Sequence, residues 1–359
     1  MRDRFAMPRT LPSDLARGLL TSAQRLGGPE REAPATVEEV VRLVGGLQAQ
    51  DAPAAALGVR ARLPGATASA VDHARFEERS VARIWCMRGT LHLVPAEDLG
   101  WMLPLGTPRA RAQAARRRVE LGLTDADIDR ARALALPAVP ATRAELFAVW
   151  EEAGLEPAKG RGYHLLAELA QTGVLCFGPM RDGTEPVIVD VARWIPAPRT
   201  LERDEALGEW ARRYFRSHGP VPASEFALWT SLPAADARTG VALARPDLAA
   251  MDVDGVEYLL DPAVPDLLAA HRREAAGVHL LPGFDEFVLG YGRRDDVLDP
   301  AHFDRIVPGG NGVFRSTVVH RGRIVGTWAE PRGRLEVTRF RETSTPSDTA
   351  VARAHARLP

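Results

Sequence analysis

Two side-chain amides one residue apart are the groups best placed to do chemistry: Gln48 and Gln50, in the run Leu47-Gln48-Ala49-Gln50-Asp51. On an α-helix, positions i and i+2 point to different faces. In an extended or bent segment they point the same way, with Ala49 turned inward. Two neutral amides aimed at one spot can hold a water, a base edge or a developing cation. The plain alternative is a polar helix end that caps its own backbone. Asp51 follows directly and is the competing carboxylate base, but in an extended segment it faces away from both glutamines.

The elements that must hold this stretch are legible around it. Residues 36–44 form an apolar-periodic helix with a capping-box pattern from Thr36 to Glu39, broken at Gly45-Gly46. An earlier helix starts at Ser13, a good N-cap, and runs to about Arg25. Residues 53–63 read as a further helix and 71–79 as a short polar connection or helix. Two β-type runs about Gly89, within 81–94, read as a hairpin or bulged strand pair, and residues 95–98 open another helix. Three helices followed by a small hairpin make the winged-helix version of helix-turn-helix.

The pattern recurs twice. Residues 125–136 (ended by Pro137), 142–150 (capping box from Thr142 to Glu145) and 162–172 are helical, followed by strands at 173–177 and 186–190. Helices at 204–217, 223–230 and 233–243 precede a hairpin at 251–260 turned by Asp254-Gly255. From residue 278 the chain becomes β-rich: strands flank the turn His320-Arg321-Gly322-Arg323 and another covers 335–340. The expected fold is α+β and mostly helical, not a doubly wound sheet. It comprises three tandem winged-helix units at 1–123, 124–199 and 200–277, a β-rich lobe at 278–342, and a tail or short helix at 343–359 starting near Ser347. The repeat is one of pattern, with slight identity between units.

Other groups could join the chemistry. Arg88, Thr90 and His92 alternate on an expected strand and share a face, although His92 could equally be a satisfied core histidine. Asp285 and Glu286 form an acidic pair flanked by Phe284 and Phe287. They are either a second acid site or structural acids that hold the β-lobe against the first unit through an arginine. Residues 108–123 carry Arg109, Arg111, Arg116, Arg117 and Arg118 against only Glu120, which suits a solvated helix face or a phosphate-contacting one.

Composition excludes several classes. A chain of 359 residues with 45% hydrophobic and 26% charged residues is an ordinary globular protein, long enough for two or three domains. No apolar run approaches the length of a membrane span, and the N-terminal run Met1–Arg9 lacks the apolar core of a signal peptide. Cys86 and Cys176 lack metal spacing and read as buried thiols of a reducing cytoplasm, and the nine histidines form no HxxxH pattern. Neither a metal nor a cofactor is expected. The net charge of −1 argues neither for nor against DNA. Lys159 is the one lysine, so Schiff-base chemistry would rest on it or on the N-terminal amine.

Four stretches in order resemble one family: Gln48-Ala-Gln50, Met87-Arg-Gly-Thr-Leu-His-Leu-Val-Pro95, Pro282-Gly-Phe-Asp-Glu-Phe-Val-Leu-Gly-Tyr291 and Asn311-Gly-Val-Phe-Arg-Ser-Thr317. Together they resemble the AlkZ/YcaQ-like DNA glycosylases, bacterial enzymes with tandem winged-helix units. Gln48-Ala49-Gln50 fits the Gln-Φ-Gln form of the AlkZ-like branch, where Φ is apolar, with Ala small for Φ. The resemblance implies a C-shaped, monomeric, cytoplasmic protein. Its partner would be double-stranded DNA carrying alkylated purines or interstrand crosslinks, in an open cleft with little base flipping, and it would be nucleoid-associated through DNA.

It further implies that Gln48 and Gln50 position the attacking water and stabilise an oxocarbenium-like state. An N7- or N3-alkylated purine is already cationic and a good leaving group, so no strong general acid is needed. Arg88, Thr90 and His92 would line the DNA-facing cleft. Asn311, Arg315, His320, Arg321 and Arg323 would approach the sugar-phosphate backbone or minor groove, unless the last three are a solvated hairpin tip. The few lysines agree with a monofunctional enzyme. The competing readings are a non-catalytic winged-helix regulator and a small-molecule or drug-sequestering protein.

Overall fold

A computed structural model describes residues 13–26, 34–183, 185–196, 198–340 and 344–358. The N-terminal run and the capping side chain of Ser13 lie outside what it describes. The fold is α+β, helix-rich, with antiparallel sheets. The chain divides into two compact units. One comprises 1–68, 207–229 and 233–359, the other 69–206 and 230–232.

A single order of elements recurs three times along the chain: helix, two-residue strand, helix, helix, hairpin. It runs Val37–Val44, Leu47–Gln48, Ala52–Arg60, Ala68–Phe76, then Val81–Trp85 with Leu91–Pro95. The second pass runs Asp125–Ala138, Ala141–Thr142, Arg143–Glu152, Arg161–Gln171, then Leu175–Arg181 with Glu185–Asp190. The third is Arg203–His218, Val221–Pro222, Ala223–Thr230, Ala234–Ala244, then Ala249–Val253 with Val256–Leu260. Residues 71–79 read in sequence as a short polar connection or a helix; the helix Ala68–Phe76 occupies this place as the third of the first pass. The short strands pair where they fall within one unit: Ala141–Thr142 with Glu185–Asp190, and Val221–Pro222 with Val256–Leu260.

Local chemistry accounts for the element ends. Thr142 and Glu145 form the expected reciprocal capping box, and Thr124 with Asp127 forms another that the sequence reading passed over. Thr36 accepts from the Glu39 N–H at 3.1 Å, but the Glu39 carboxylate reaches the Ala35 N–H (2.6 Å), one residue before the expected partner. Pro137 lies inside the last turn of its helix rather than ending it. Asp254 and Gly255, at φ 52° and 81°, make the two-residue turn expected of them.

In the first unit, one core joins Leu19, Val264 and Leu268 to Met251 and Leu260 of the three-stranded sheet. A second lies under the four-stranded antiparallel sheet Val278–Leu281, Thr317–His320, Arg323–Ala329, Glu336–Arg339. There Leu280, Val318 and Val325 pack on Val351 of the Asp348–His355 helix, which Ser347 caps. In the second unit, hairpins Val81–Trp85/Leu91–Pro95 and Leu175–Arg181/Glu185–Asp190 join through Arg83 and Phe177. No helix among the described residues is long and apolar enough to cross a membrane.

Candidate active site

The helix Val37–Val44 ends in a left-handed turn, Gly45 at φ 81° and Gly46 at φ 120°, with both N–H groups returned to Val41 O. A side chain at Gly45 would meet that conformation and, in addition, Trp229 Cη2 at 3.0 Å. The chain leaves this turn extended. Leu47 and Ala49 are buried, at 2% and 0% exposure, while Gln48 is half-buried and Gln50 exposed. The period of two puts both glutamines on the outward side and Ala49 inward.

Asp51 is committed elsewhere. It is the N-cap of Ala52–Arg60, and its carboxylate accepts from the Ala54 N–H at 3.0 Å. Gln48 Oε1, by contrast, is shielded from solvent and accepts no hydrogen bond from the described residues. A buried carbonyl acceptor without a donor costs about 1–3 kcal/mol, so a fold seldom keeps one without use.

Behind this segment lies a buried polar frame. A Cβ on Gly58 would stand 3.4 Å from both Leu47 Cδ2 and Asp285 Oδ2, which shows how closely the segment and the acidic pair pack. Arg62 donates to both Asp285 oxygens (2.8 and 2.9 Å), to Gly58 O (2.9 Å) and to Gln24 Oε1 (2.6 Å). Gln24 passes the network on to Tyr291 Oη (2.9 Å) and Glu286 O (3.2 Å). Glu286 Oε2 accepts from Trp229 Nε1 at 2.9 Å and lies 3.7 Å from His218 Nε2.

The charges in this frame follow their surroundings. Burial alone would lower the Arg62 pKa, but the Asp285 charge and its hydrogen bonds outweigh burial and raise it. Burial lowers the His218 pKa, with Glu286 opposing. Asp285 is thus engaged inside the protein by Arg62, and one oxygen of Glu286 by Trp229. Arg62, Gln24 and Trp229 escaped the sequence reading, because nothing in a helix-end arginine or an isolated glutamine tells where it will be buried.

The Asn311–Thr317 stretch belongs to the same unit. Phe314 packs on Phe284 with ring centroids 5.8 Å apart. Asn311 is exposed and closes its own turn on the Val313 N–H (2.9 Å), while Arg315 is exposed and reaches Arg305 O at 3.4 Å. The His320–Arg323 turn is anchored, since Arg321 N donates to Ala276 O at 3.2 Å, but the Arg321 side chain remains exposed. Three of the four motif stretches therefore converge in one unit.

The fourth lies in the other unit. Arg88 and Thr90 sit in the hairpin turn rather than on the strand, which begins at Leu91; Arg88 and Gly89 both have positive φ (55° and 70°). The turn still gathers the three side chains. His92 is buried, with Nδ1 3.0 Å from Thr90 O and Nε2 3.3 Å from Arg88 Nη2. A carbonyl can only accept, so Nδ1 carries the proton and Nε2 accepts from Arg88. On the arginine-rich helix Pro108–Glu120, Arg111 and Arg118 are spent on the buried Glu168 (2.6 and 3.0 Å), whereas Arg116 and Arg117 stay exposed beside Glu120.

Comparison with known proteins gives a consistent picture. The family described as "DNA glycosylase AlkZ-like" matches residues 41–359. A curated relative from Streptomyces sahachiroi, an interstrand DNA cross-link repair glycosylase, is 30% identical over 351 residues, which is 91% of this chain and 91% of the relative. The solved structure of Streptomyces sahachiroi DNA glycosylase AlkZ is similar with a TM-score of 0.79 and 26% identity, over 95% of each chain.

Proposed function

Because the chain belongs to the AlkZ-like family of DNA glycosylases, we propose that the bond it hydrolyses is the N-glycosidic bond of a cationic, N7- or N3-alkylated purine in duplex DNA. The family assignment supports an enzyme and not the non-catalytic regulator. Gln48 and Gln50 carry the step: one amide carbonyl accepts from the attacking water, and the pair lies against the positive charge developing on the sugar. The product is an abasic site, formed without a covalent enzyme intermediate. The relative's activity on interstrand crosslinks extends the proposal to unhooking, which the same chemistry performs on a purine alkylated at both ends of a linker.

The observation that carries this reading is the buried acceptor Gln48 Oε1 beside a carboxylate, Asp51, that is occupied as a helix cap. An amide does not take a proton near neutral pH, so it suits a leaving group that is already charged and serves an uncharged base poorly. Chain order adds a second support. In the recurring element order, the position of Gln48 is filled by Thr142 and Pro222 in the other two passes. The short strand therefore does not itself require an amide.

We read the three passes as winged-helix units, with the two-residue strand pairing against the second strand of the wing in the second and third passes. The boundaries expected from sequence, 1–123, 124–199 and 200–277, follow that repeat. Within this reading Arg88, Thr90, His92, Asn311, Arg315, His320, Arg321 and Arg323 contact DNA, and the protein acts as a monomer. The test is incubation with a duplex carrying 7-methylguanine and with a crosslinked duplex, followed by alkali. Strand breaks at the lesion support the assignment, and intact strands after prolonged incubation reject it.

A further inference from the structure

The first unit holds a concavity at the far end of the Ala52–Arg60 helix from the glutamines. It has a volume of about 850 Å³, and among the described residues Arg25, Arg60, Arg273, Arg353 and Arg357 line it with one carboxylate, Glu274. At 1.5 Å per residue, the helix rises about 12 Å from Ala52 to Arg60. Its wall is the first strand of the β-lobe, where Leu280 packs on Val351 of the Asp348–His355 helix and His279 also lines the space.

Elsewhere in the unit, the buried Arg62 is paired with Asp285 and the buried Arg213 with Glu209. Among the described residues, none of the five cavity arginines makes an ion pair. Arg60 is half-buried, and its Nε is shielded from solvent without an acceptor; burial lowers its pKa. Arg273, Arg353 and Arg357 are exposed and Arg25 and Arg60 half-buried, so the like charges repel across the concavity and the desolvation cost falls on the Arg60 Nε–H, which lacks an acceptor. Both penalties vanish if an anion with several acceptor oxygens occupies the space. A phosphate group matches best, since its oxygens take forked guanidinium donors in pairs, and one group can engage two or three arginines at once.

The geometry points to this cavity as a phosphate-binding site. Two sources share that chemistry. One is a backbone phosphodiester of the DNA on which the enzyme acts. The other is a free phosphorylated small molecule. The proposal concerns binding, and it stands apart from the assignment of the glutamines to the cleavage step.

The test uses the full chain and the double variant Arg353→Gln/Arg357→Gln. Both positions are exposed, near the C-terminus, so the fold is retained; Arg60→Gln is the second variant. Binding of an unmodified labelled duplex is followed by anisotropy across a salt series, and sodium pyrophosphate is titrated by calorimetry and by thermal melting. If DNA is the source, the double variant binds duplex at least fivefold more weakly. Its slope of log affinity against log salt then falls by about one for each arginine removed. If a free phosphate is the source, pyrophosphate binds and raises the melting temperature of the parent but not of the variants, while duplex binding is the same in all three. Identical behaviour toward duplex and pyrophosphate in parent and variants overturns the proposal. Gln48→Ala keeps its duplex affinity in this assay, so failure of this site and failure of the glutamine assignment read out separately.

Discussion

Arg62 grips Asp285 with both guanidinium prongs, at 2.8 and 2.9 Å, and neither side chain has any solvent exposure. The two residues are 223 positions apart in the chain, and their contact ties the helix that follows the glutamines to the β-lobe. Removing one partner of such a pair leaves the other charge buried and alone. Arg62→Ala should therefore lower stability by about 3–5 kcal/mol, read as a shift in the urea midpoint. Arg62→Lys should not restore it, because an ammonium cannot make the fork. If Asp285→Asn left the midpoint in place yet abolished excision, Asp285 would belong to the reaction rather than to the frame.

Gln48→Ala and Gln50→Ala should each slow single-turnover excision of 7-methylguanine by about 10²–10³-fold, the usual loss for one oriented group facing a developing charge. Duplex affinity should stay within about twofold, since neither amide is expected to carry phosphate contacts. Unchanged excision rates in both variants would remove the assignment.

Asp51→Asn separates a cap from a catalytic base. Asparagine caps helices as well as aspartate does, so stability and excision rate should both hold. Asp51→Ala should cost about 1 kcal/mol of stability through the lost bond to the Ala54 N–H. A large fall in rate for Asp51→Asn at constant stability would make Asp51 the base.

Burial pushes the His279 imidazole down to about 4 and that of His218 down as well. The ordinary value lies near 6.5, so the unfolded chain binds protons there that the folded chain refuses. Above that pH the two histidines have no effect on stability. As pH falls from about 6.5 toward the folded values, stability is lost. The urea midpoint should decline between pH 7 and 5, and His279→Gln should flatten the decline. A variant with the same slope as the parent would show that His279 titrates freely.

Lys159 is exposed, at φ 55° in a turn of the second unit. Borohydride added during excision should trap no DNA–protein adduct, and Lys159→Ala should cleave at the parental rate. A trapped adduct would mean an amine attacks the sugar, and the water-positioning role of the glutamines would fail.

Much of the secondary structure was legible because its causes are local. The Thr142–Glu145 box, the Asp254-Gly255 turn and the Ser347 cap each act over a few residues, so their elements stand where the residue types place them. The extended path through Gln48, Ala49 and Gln50 was also readable, since two glycines end the preceding helix and Asp51 starts the next. What failed locally was placement: Arg88 and Thr90 read as strand residues, but a turn with two positive φ values claims Arg88, and the strand begins only at Leu91.

The sequence by itself determined the element order, its threefold recurrence, the family, and a pair of amides on one side of an extended segment. Only the tertiary structure decided which polar groups are spent and which are left over. It paired Asp285 with Arg62, turned Asp51 into a cap, and left Gln48 Oε1 and Arg60 Nε without a hydrogen-bond partner among the described residues. The physical reason is that caps and turns are satisfied within a few residues. The partner of a buried charge, by contrast, is chosen by packing between segments hundreds of residues apart, where no local pattern records it.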